Sequence, residues 1–115
     1  MKNFEQIRAK NALAKAQNIG KSAGGGDKVA KKVPVMIIDN GILAAAAFAL
    51  ENKGTGYADV FNAVVAHLAD PEIALLAESM ELKNFIDHLA GVSSDELRRI
   101  TAEAMAYLNY LRRFA

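Results

Sequence analysis

The sequence contains no cysteine, no tryptophan and only two prolines in 115 residues. The absence of cysteine excludes disulfides and cysteine-based metal sites, and it suits a reducing cytoplasm. The longest apolar run, Ile42 to Leu50, is far too short to span a bilayer. The N-terminus carries charges where a secretory signal would be apolar. We therefore expect a cytoplasmic protein without a membrane partner.

Aliphatic residues dominate what is present. Apolar residues make up 52% of the chain but aromatic residues only 7%, and there are 22 alanines. This composition favours helix over strand. A chain of this length forms one domain, residues 1–115, with a single modest core.

Charge is distributed unevenly along the chain, although the net charge is only +1. Residues 1–32 carry eight basic residues against two acidic ones, whereas residues 33–92 carry two basic residues against eight acidic ones. This asymmetry indicates one basic face, whose partner is either nucleic acid or an acidic protein surface. A solvated, lysine-rich helix that binds nothing is an equally good explanation of this fact alone.

The segment from Val33 to Leu50 allows two interpretations. Asn40-Gly41 is a strong turn signal, so the segment resembles the strand, turn and helix that begin nucleotide-binding α/β proteins. However, no other segment has the β-branched alternation that a sheet needs. We therefore predict one long, buried central helix, with close approach of a neighbouring helix at Gly41. Its apolar residues recur at the helical period: Val33, Ile37, Gly41, Ala44 and Phe48.

Helical spacing continues through most of the remaining chain. Ser93 and Glu96 form a capping box at the start of the last helix. The glycine-rich segment GKSAGGGD, residues 20–27, is predicted to be a loop. We predict an all-α, compact bundle of five to six helices with a buried central helix. The further helices are expected over residues 2–19, 57–68, 81–90 and 93–115, with a short one after Asp70.

No pattern in the sequence supports catalysis. Gly20-Lys21-Ser22 resembles the end of a P-loop, but Lys15 stands where that motif needs its first glycine. His67 and His88 are the only histidines, and their surroundings lack a metal-binding spacing. We interpret them as partly exposed structural residues. The sequence predicts no catalytic residue, no cofactor and no metal site.

Two segments carry a family resemblance. PVMIIDNGI, from Pro34 to Ile42, and TAEAMAYLNYLRRFA, from Thr101 to Ala115, resemble segments of the small helical subunit of the Cmr complex. Cmr is the type III-B CRISPR RNA-guided effector. The order of the segments and the chain length also fit this family. Tyr110 stands where the family often has tryptophan, and Ile42 where it often has leucine.

The resemblance implies a non-enzymatic scaffold in antiviral defence. Copies of such a subunit stack as a minor filament beside the subunits that hold the guide RNA, and target RNA runs in the groove between them. The expected partners are therefore other Cmr subunits, further copies of the chain, and guide and target RNA through the assembled complex. Backbone phosphates require only suitably placed cations. The candidate RNA- or partner-binding residues are Arg8, Lys15, Lys31, Lys32, Arg112 and Arg113.

Two other function classes remain open at this point. An unrelated helical adaptor would dock an acidic protein on the basic face, and its association would be independent of RNA. A small helical enzyme would need His67 or His88 in a cleft with a perturbed pKa.

Overall fold

The structure, a computed structural model, describes residues 3–20, 26–52 and 54–115. These residues form six α-helices and no β-strand, as the predicted all-α fold requires. The centre of the predicted glycine-rich loop, residues 21–25, lies outside the described residues. The helices are α1 (Phe4–Gly20), α2 (Gly26–Asn40), α3 (Ile42–Glu51), α4 (Tyr57–Leu68), α5 (Leu82–Gly91) and α6 (Ser94–Phe114).

Helix α1 begins with a reciprocal cap. The Asn3 side chain accepts the backbone N–H of Gln6 at 2.9 Å, and the Gln6 side chain accepts that of Asn3 at 3.1 Å. Each bond satisfies an amide that the first turn of a helix leaves without a partner. Leu13 remains 59% exposed. The buried face of the helix is made of Ile7, Ala12, Ala16 and Ile19.

The predicted continuous central helix is wrong, because Gly41 divides it into α2 and α3. Gly41 has φ 88° and ψ 159°, a backbone conformation essentially confined to glycine. The predicted close approach of a helix is also absent, since a Cβ at Gly41 would have no neighbour within 4 Å. Glycine is needed here for its dihedral angles and not for space. Ala44 and Phe48, predicted to lie in the buried central helix, are both exposed, Phe48 by 40%.

The predicted short helix after Asp70 does not form. A turn stands in its place, in which the Asp70 carboxylate accepts the backbone N–H of Glu72 at 2.8 Å. The backbone N–H groups of Leu75 and Leu76 both donate to the carbonyl of Leu68 at 3.0 Å. These bonds return the chain to the end of α4, so the backbone is satisfied without a further helical turn.

Helix α6 is the longest helix of the described residues, and it packs against α1, α2 and α4. It begins at the predicted capping residue, since Ser93 Oγ accepts the backbone N–H of Glu96 at 3.1 Å. Tyr107 on α6 is fully buried, as are Phe61 on α4 and Phe85 on α5. Helices α1 and α2 both pack on α6, so one seam runs between α1 and α6 and a second between α2 and α6.

Candidate functional site

An ion pair connects α1 with α6. Arg8 on α1 donates from Nε and Nη2 to the two carboxylate oxygens of Glu103 on α6, each at 2.7 Å. Glu103 is only 7% exposed. Such bidentate, charge-assisted bonds are among the stronger hydrogen bonds in proteins. Glu103 Oε2 also lies 2.8 Å from Nε2 of His67 on α4, so one carboxylate joins three helices.

Asn11 indicates which nitrogen of His67 carries the hydrogen. Asn11 Nδ2 lies 2.9 Å from His67 Nδ1 and 2.9 Å from Asp70 Oδ2. An amide nitrogen has two hydrogens, one for each of these acceptors. Nδ1 of His67 therefore accepts, and Nε2 carries the hydrogen that is donated to Glu103. A neutral imidazole satisfies every contact of this polar network, which consists of Arg8, Asn11, His67, Asp70 and Glu103.

The electrostatic surroundings favour the same protonation states. Burial lowers the pKa of His67 and outweighs the opposite effect of its bond to Glu103. Burial by itself would raise the pKa of Glu103, but the hydrogen bonds from Arg8 and His67 together lower it. The pKa of Asp70 is lowered, chiefly by the bond from Asn11. At neutral pH the network thus contains a neutral histidine between ionised carboxylates.

This polar network has the geometry of a structural element. His67 is 1% exposed, so it is buried and not partly exposed as predicted. The ring of Tyr107 stacks on its imidazole, with 4.4 Å between the ring centroids. The Tyr107 hydroxyl is buried without a hydrogen-bond partner among the described residues. Residues 3–20, 26–52 and 54–115 contain no group of three or more side chains suited to a metal ion. The network holds α1 against α4 and α6.

A groove of about 270 Å³ runs along the other seam of α6, between α6 and α2. Val35 and Ile38 of α2 line it and are 55% and 72% exposed. Met105 of α6 lines it as well. Apart from Pro34, the rest of its lining is basic or polar, with no acidic side chain. We call this the α2–α6 groove, and its lining is Lys31, Pro34, Val35, Ile38, Met105, Asn109 and Arg112.

The seam continues beyond this groove to the junction of α2 and α3. There Asn40 to Leu43 face the first half of α6, where Leu97, Arg98, Thr101 and Ala102 complete the lining. Most of the lining of the two grooves comes from the segments 34–42 and 101–115, on which the family resemblance rests. The fold therefore places these two distant segments side by side.

Comparison with known families agrees with the resemblance. The family described as CRISPR-associated protein (Cas_Cmr5) matches residues 4–115. The chain belongs to the Cas_Cmr5 family. It is a non-catalytic structural subunit of the type III-B Cmr effector complex, which acts in antiviral defence with other subunits and the CRISPR RNA. Comparison with curated proteins and with solved structures gave no significant match.

In this Cas_Cmr5 subunit, two of the predicted binding residues line the same groove. Lys31 on α2 and Arg112 on α6 line the same end of the α2–α6 groove, although they are far apart in the sequence. Arg112 also donates to the Asn109 side chain at 3.1 Å. The fold thus brings Lys31, from the N-terminal third, to the same groove as Arg112, from the last helix. Their binding role stays a prediction.

The other four predicted residues are dispersed over this Cas_Cmr5 subunit. Lys15 is exposed beside a crevice between α1 and α4. Lys32 and Arg113 are exposed on α2 and α6. Arg8 differs from them, because its Nε and Nη2 donors are already engaged by Glu103. Among the helices that the structure describes, none is long and apolar enough to cross a membrane.

Sequence reasoning missed the outward apolar face of α2. Lys31, Val35 and Ile38 follow the spacing i, i+4 and i+7, which places them on one face of a helix. Arg112, Asn109 and Met105 follow a similar spacing on α6. Both patterns are visible in the sequence, but α2 was expected to be buried all round. Only the packed structure distinguishes its buried stripe from its exposed one.

Proposed function

We propose that this Cas_Cmr5 subunit stacks with further copies of itself as a minor filament beside the subunits that hold the guide RNA. Target RNA then follows the groove between the two filaments. The subunit acts in the cytoplasm as one helical domain over residues 1–115. Membership of the family supports the assembly, and the distribution of exposed cations supports the contact with RNA.

The observation that carries the RNA contact is a set of exposed cations without acidic partners. None of them forms a salt bridge with an acidic side chain of the described residues, whose salt bridges use Arg8, His67 and Arg98 instead. Free lysines and arginines neutralise phosphates and release counterions, and this requires no base-specific geometry. The set is Lys15, Lys32 and Arg113.

Arg8 has an indirect part in this proposal. Its guanidinium is bound to Glu103, so it contributes positive charge near α1 while holding that helix on α6. Lys15 lies on the same helix and depends on its attachment. Arg8 thus positions α1, and the exposed residues make the contacts with phosphate.

Stacking multiplies a weak contact. A single subunit offers few cations to one RNA strand, so an isolated copy should bind RNA weakly. Successive copies repeat the same cations along the strand, and each further contact becomes intramolecular. Overall affinity then rises without any new type of interaction, and it depends strongly on salt.

The test compares single charge reversals in the reconstituted Cmr complex. Lys32→Glu and Arg113→Glu remove exposed cations, and Lys83→Glu on the opposite-signed part of the chain is the matched control. Target-RNA binding is measured at several salt concentrations. We expect the two variants to weaken binding and to lower the salt slope by about 0.7 for each single-strand phosphate that is no longer neutralised. The control should behave as wild type.

Two results would contradict the proposal. Equal affinity and equal salt slope for wild type, Lys32→Glu and Arg113→Glu would mean that these cations are only solvated. An equal weakening of binding by these variants and by Lys83→Glu would mean that net charge, and not a defined surface, controls RNA binding. Subunit content is measured in every preparation, so that absence of the subunit is not mistaken for weaker binding by it.

A further inference from the structure

The α2–α6 groove has an unusual combination of surfaces for a folded chain. Ile38 is 72% exposed and Val35 is 55% exposed, although α2 already has a buried apolar stripe that includes Val33 and Ile37. Single exposed aliphatic side chains are common, but here two lie together with Met105 across the groove. Apolar groups grouped in a concave surface are typical of interaction sites. No described residue covers them.

The charges of the groove point to the chemistry of its occupant. The end of α2 lies beside the first half of α6, so the two helices run antiparallel, and Lys31 and Arg112 lie at the same end of the groove. The groove lining contains no acidic side chain. Two cations at one end of a groove repel each other, and an anion between them relieves that repulsion. At the other end Ile38 lies opposite Met105, so this end is apolar. An occupant must therefore be apolar along its length and negative at one end.

RNA fits this groove less well than a protein does. Phosphate contacts need cations but make no use of two aliphatic side chains directed outward. Unpaired bases stack on aromatic rings or guanidinium groups. The groove lining has no aromatic ring, and its one guanidinium group, that of Arg112, donates to the Asn109 side chain. Protein interfaces, in contrast, combine a buried apolar centre with a polar rim. Lys32 is the next residue along α2 and lies about 100° around the helix, so it stays free for other contacts.

We propose that the α2–α6 groove docks an amphipathic, acidic segment of another protein subunit of the Cmr complex. An aliphatic or aromatic side chain of that segment packs on Val35, Ile38 and Met105. A carboxylate of the same segment lies between Lys31 and Arg112. This inference rests on membership of the Cas_Cmr5 family and not on the proposed RNA surface. It assigns two of the predicted RNA- or partner-binding residues, Lys31 and Arg112, to a protein contact.

The first test measures incorporation into the complex. Ile38→Glu is combined with the other Cmr subunits and guide RNA, and the amount of this subunit per purified complex is determined by quantitative mass spectrometry. Leu13→Glu is the matched control, since Leu13 is 59% exposed on α1 and lies outside the groove. We expect Ile38→Glu to reduce incorporation at least tenfold at a limiting subunit concentration, and Leu13→Glu to leave it unchanged.

The electrostatic half of the proposal has its own pair of variants. Lys31→Glu should reduce incorporation, because it places a negative charge where the carboxylate of the partner binds. Lys83→Glu on α5 makes the same change of charge away from the groove and should have no effect. Circular dichroism and thermal unfolding of each isolated variant establish that it is folded, and Ile38→Ser serves as a milder second variant.

A photo-crosslinking experiment identifies the occupant directly. A benzophenone amino acid at position 38 is activated in the assembled complex, with position 13 as the control. We expect an adduct with a different protein subunit, at a segment containing acidic and apolar residues. An adduct with RNA, or with a second copy of this chain, would overturn the proposal. Equal incorporation of Ile38→Glu and Leu13→Glu would overturn it as well.

The outcomes separate this inference from the proposed function. If Ile38→Glu is absent from the purified complex while the wild-type complex binds RNA normally, the result supports the protein contact and leaves the RNA surface untested. Retention of the subunit with weaker RNA binding by Lys31→Glu would assign the groove to RNA and contradict the inference. The effects of Lys32→Glu and Arg113→Glu on the salt slope remain an independent measure of the RNA surface.

Discussion

Helices α1 and α2 both pack against α6, but they do so with opposite arrangements of polarity. Beside α1 the seam encloses a bidentate ion pair, between Arg8 and the buried Glu103. Beside α2 the packed stripe is apolar, and further apolar residues, Val35 and Ile38, face outward. One helix therefore carries charge inward, and the other carries apolar surface outward.

The two arrangements suit α1 and α2 to different roles. A buried ion pair with full hydrogen bonding is a poor source of net stability. We infer that its main effect is to favour this register of α1 on α6 over others. Exposed aliphatic surface has the opposite property, since it adds little to the isolated fold and becomes favourable when a partner covers it. We infer that the contacts of α1 stabilise the fold, and that the exposed face of α2 binds another component of the complex.

The largest expected effect comes from removing the buried carboxylate of Glu103. Glu103→Ala leaves the buried His67 and the partly buried Arg8 without their shared acceptor. We expect a loss of about 2–4 kcal/mol in the free energy of unfolding, which is reduced from the fully buried case because Arg8 is partly exposed. Urea unfolding measures it, with Glu78→Ala at an exposed position as the control. Hydrogen exchange should show that α1 loses protection before α2.

A loss below about 0.5 kcal/mol for Glu103→Ala would end this comparison, because it would make the ion pair no more than a surface contact. Equal loss of protection in α1 and α2 would show that the pair supports the whole core and not the attachment of α1.

An intermediate effect is expected at Gly41, where α2 ends. Gly41→Ala forces an L-residue into φ 88°, and we expect this strain to cost about 1–3 kcal/mol in thermal or urea unfolding. Gly41→Leu should cost about the same, since a Cβ there meets nothing within 4 Å and the site is exposed. Gly91→Ala is the control, because that glycine is helical, has open space and should be neutral or slightly stabilising.

Comparing Gly41→Ala with Gly41→Leu also distinguishes two reasons for a glycine at this position. A much larger loss for leucine than for alanine would restore the idea of close helix packing at this point. A loss for neither would mean that the junction of α2 and α3 adjusts its dihedral angles freely.

The smallest effect concerns the pH dependence of the inward network. His67 faces Glu103, Arg8 and Asp70, and burial lowers its pKa in the folded state. The unfolded chain therefore binds a proton more readily, and stability falls as pH decreases from the ordinary histidine pKa of 6.5 towards the lower folded value. Glu103 and Asp70, whose pKa values are also lowered, lose their contributions only in more acidic solution.

Thermal unfolding between pH 7.5 and 5 checks this sign. Wild type and His88→Gln should lose stability as the pH falls, while His67→Gln should show a weaker dependence over the same range. The comparison is between slopes, because His67→Gln also changes the network itself. A steeper slope for His67→Gln than for wild type, or a flat slope for His88→Gln, would assign the titration elsewhere.

Several features of this fold were predictable because they depend on residues close together in the chain. The Ser93 cap and the helical spacing of α4 to α6 are local patterns, and the structure confirms them. The family was also within reach, because two segments carry the resemblance and the match extends over residues 4–115. The excess of basic residues in the N-terminal third is read directly from the sequence, but the single basic face that it indicates stays a prediction.

Other features were not predictable because different arrangements share one local pattern. Gly41 fits the helical period as well as the turn signal of Asn-Gly, and only its dihedral angles decide between them. The segment after Asp70 has good helix-start residues, but the carbonyl of Leu68 offers its amides a competing partner. Arg8 looked like a surface cation because Glu103, its partner, is 95 residues away.

The helical class, the main helix starts and the separation of charge follow from spacing and composition within about one turn or one segment of the chain. Tertiary structure alone decided which side chains meet. It paired Arg8 with Glu103, placed His67 between Glu103 and Asn11, and left Ile38 exposed while Ile37 is buried. The reason is physical: neighbouring residues on one helix point in different directions, and only the docking of distant helices determines which direction is the interior.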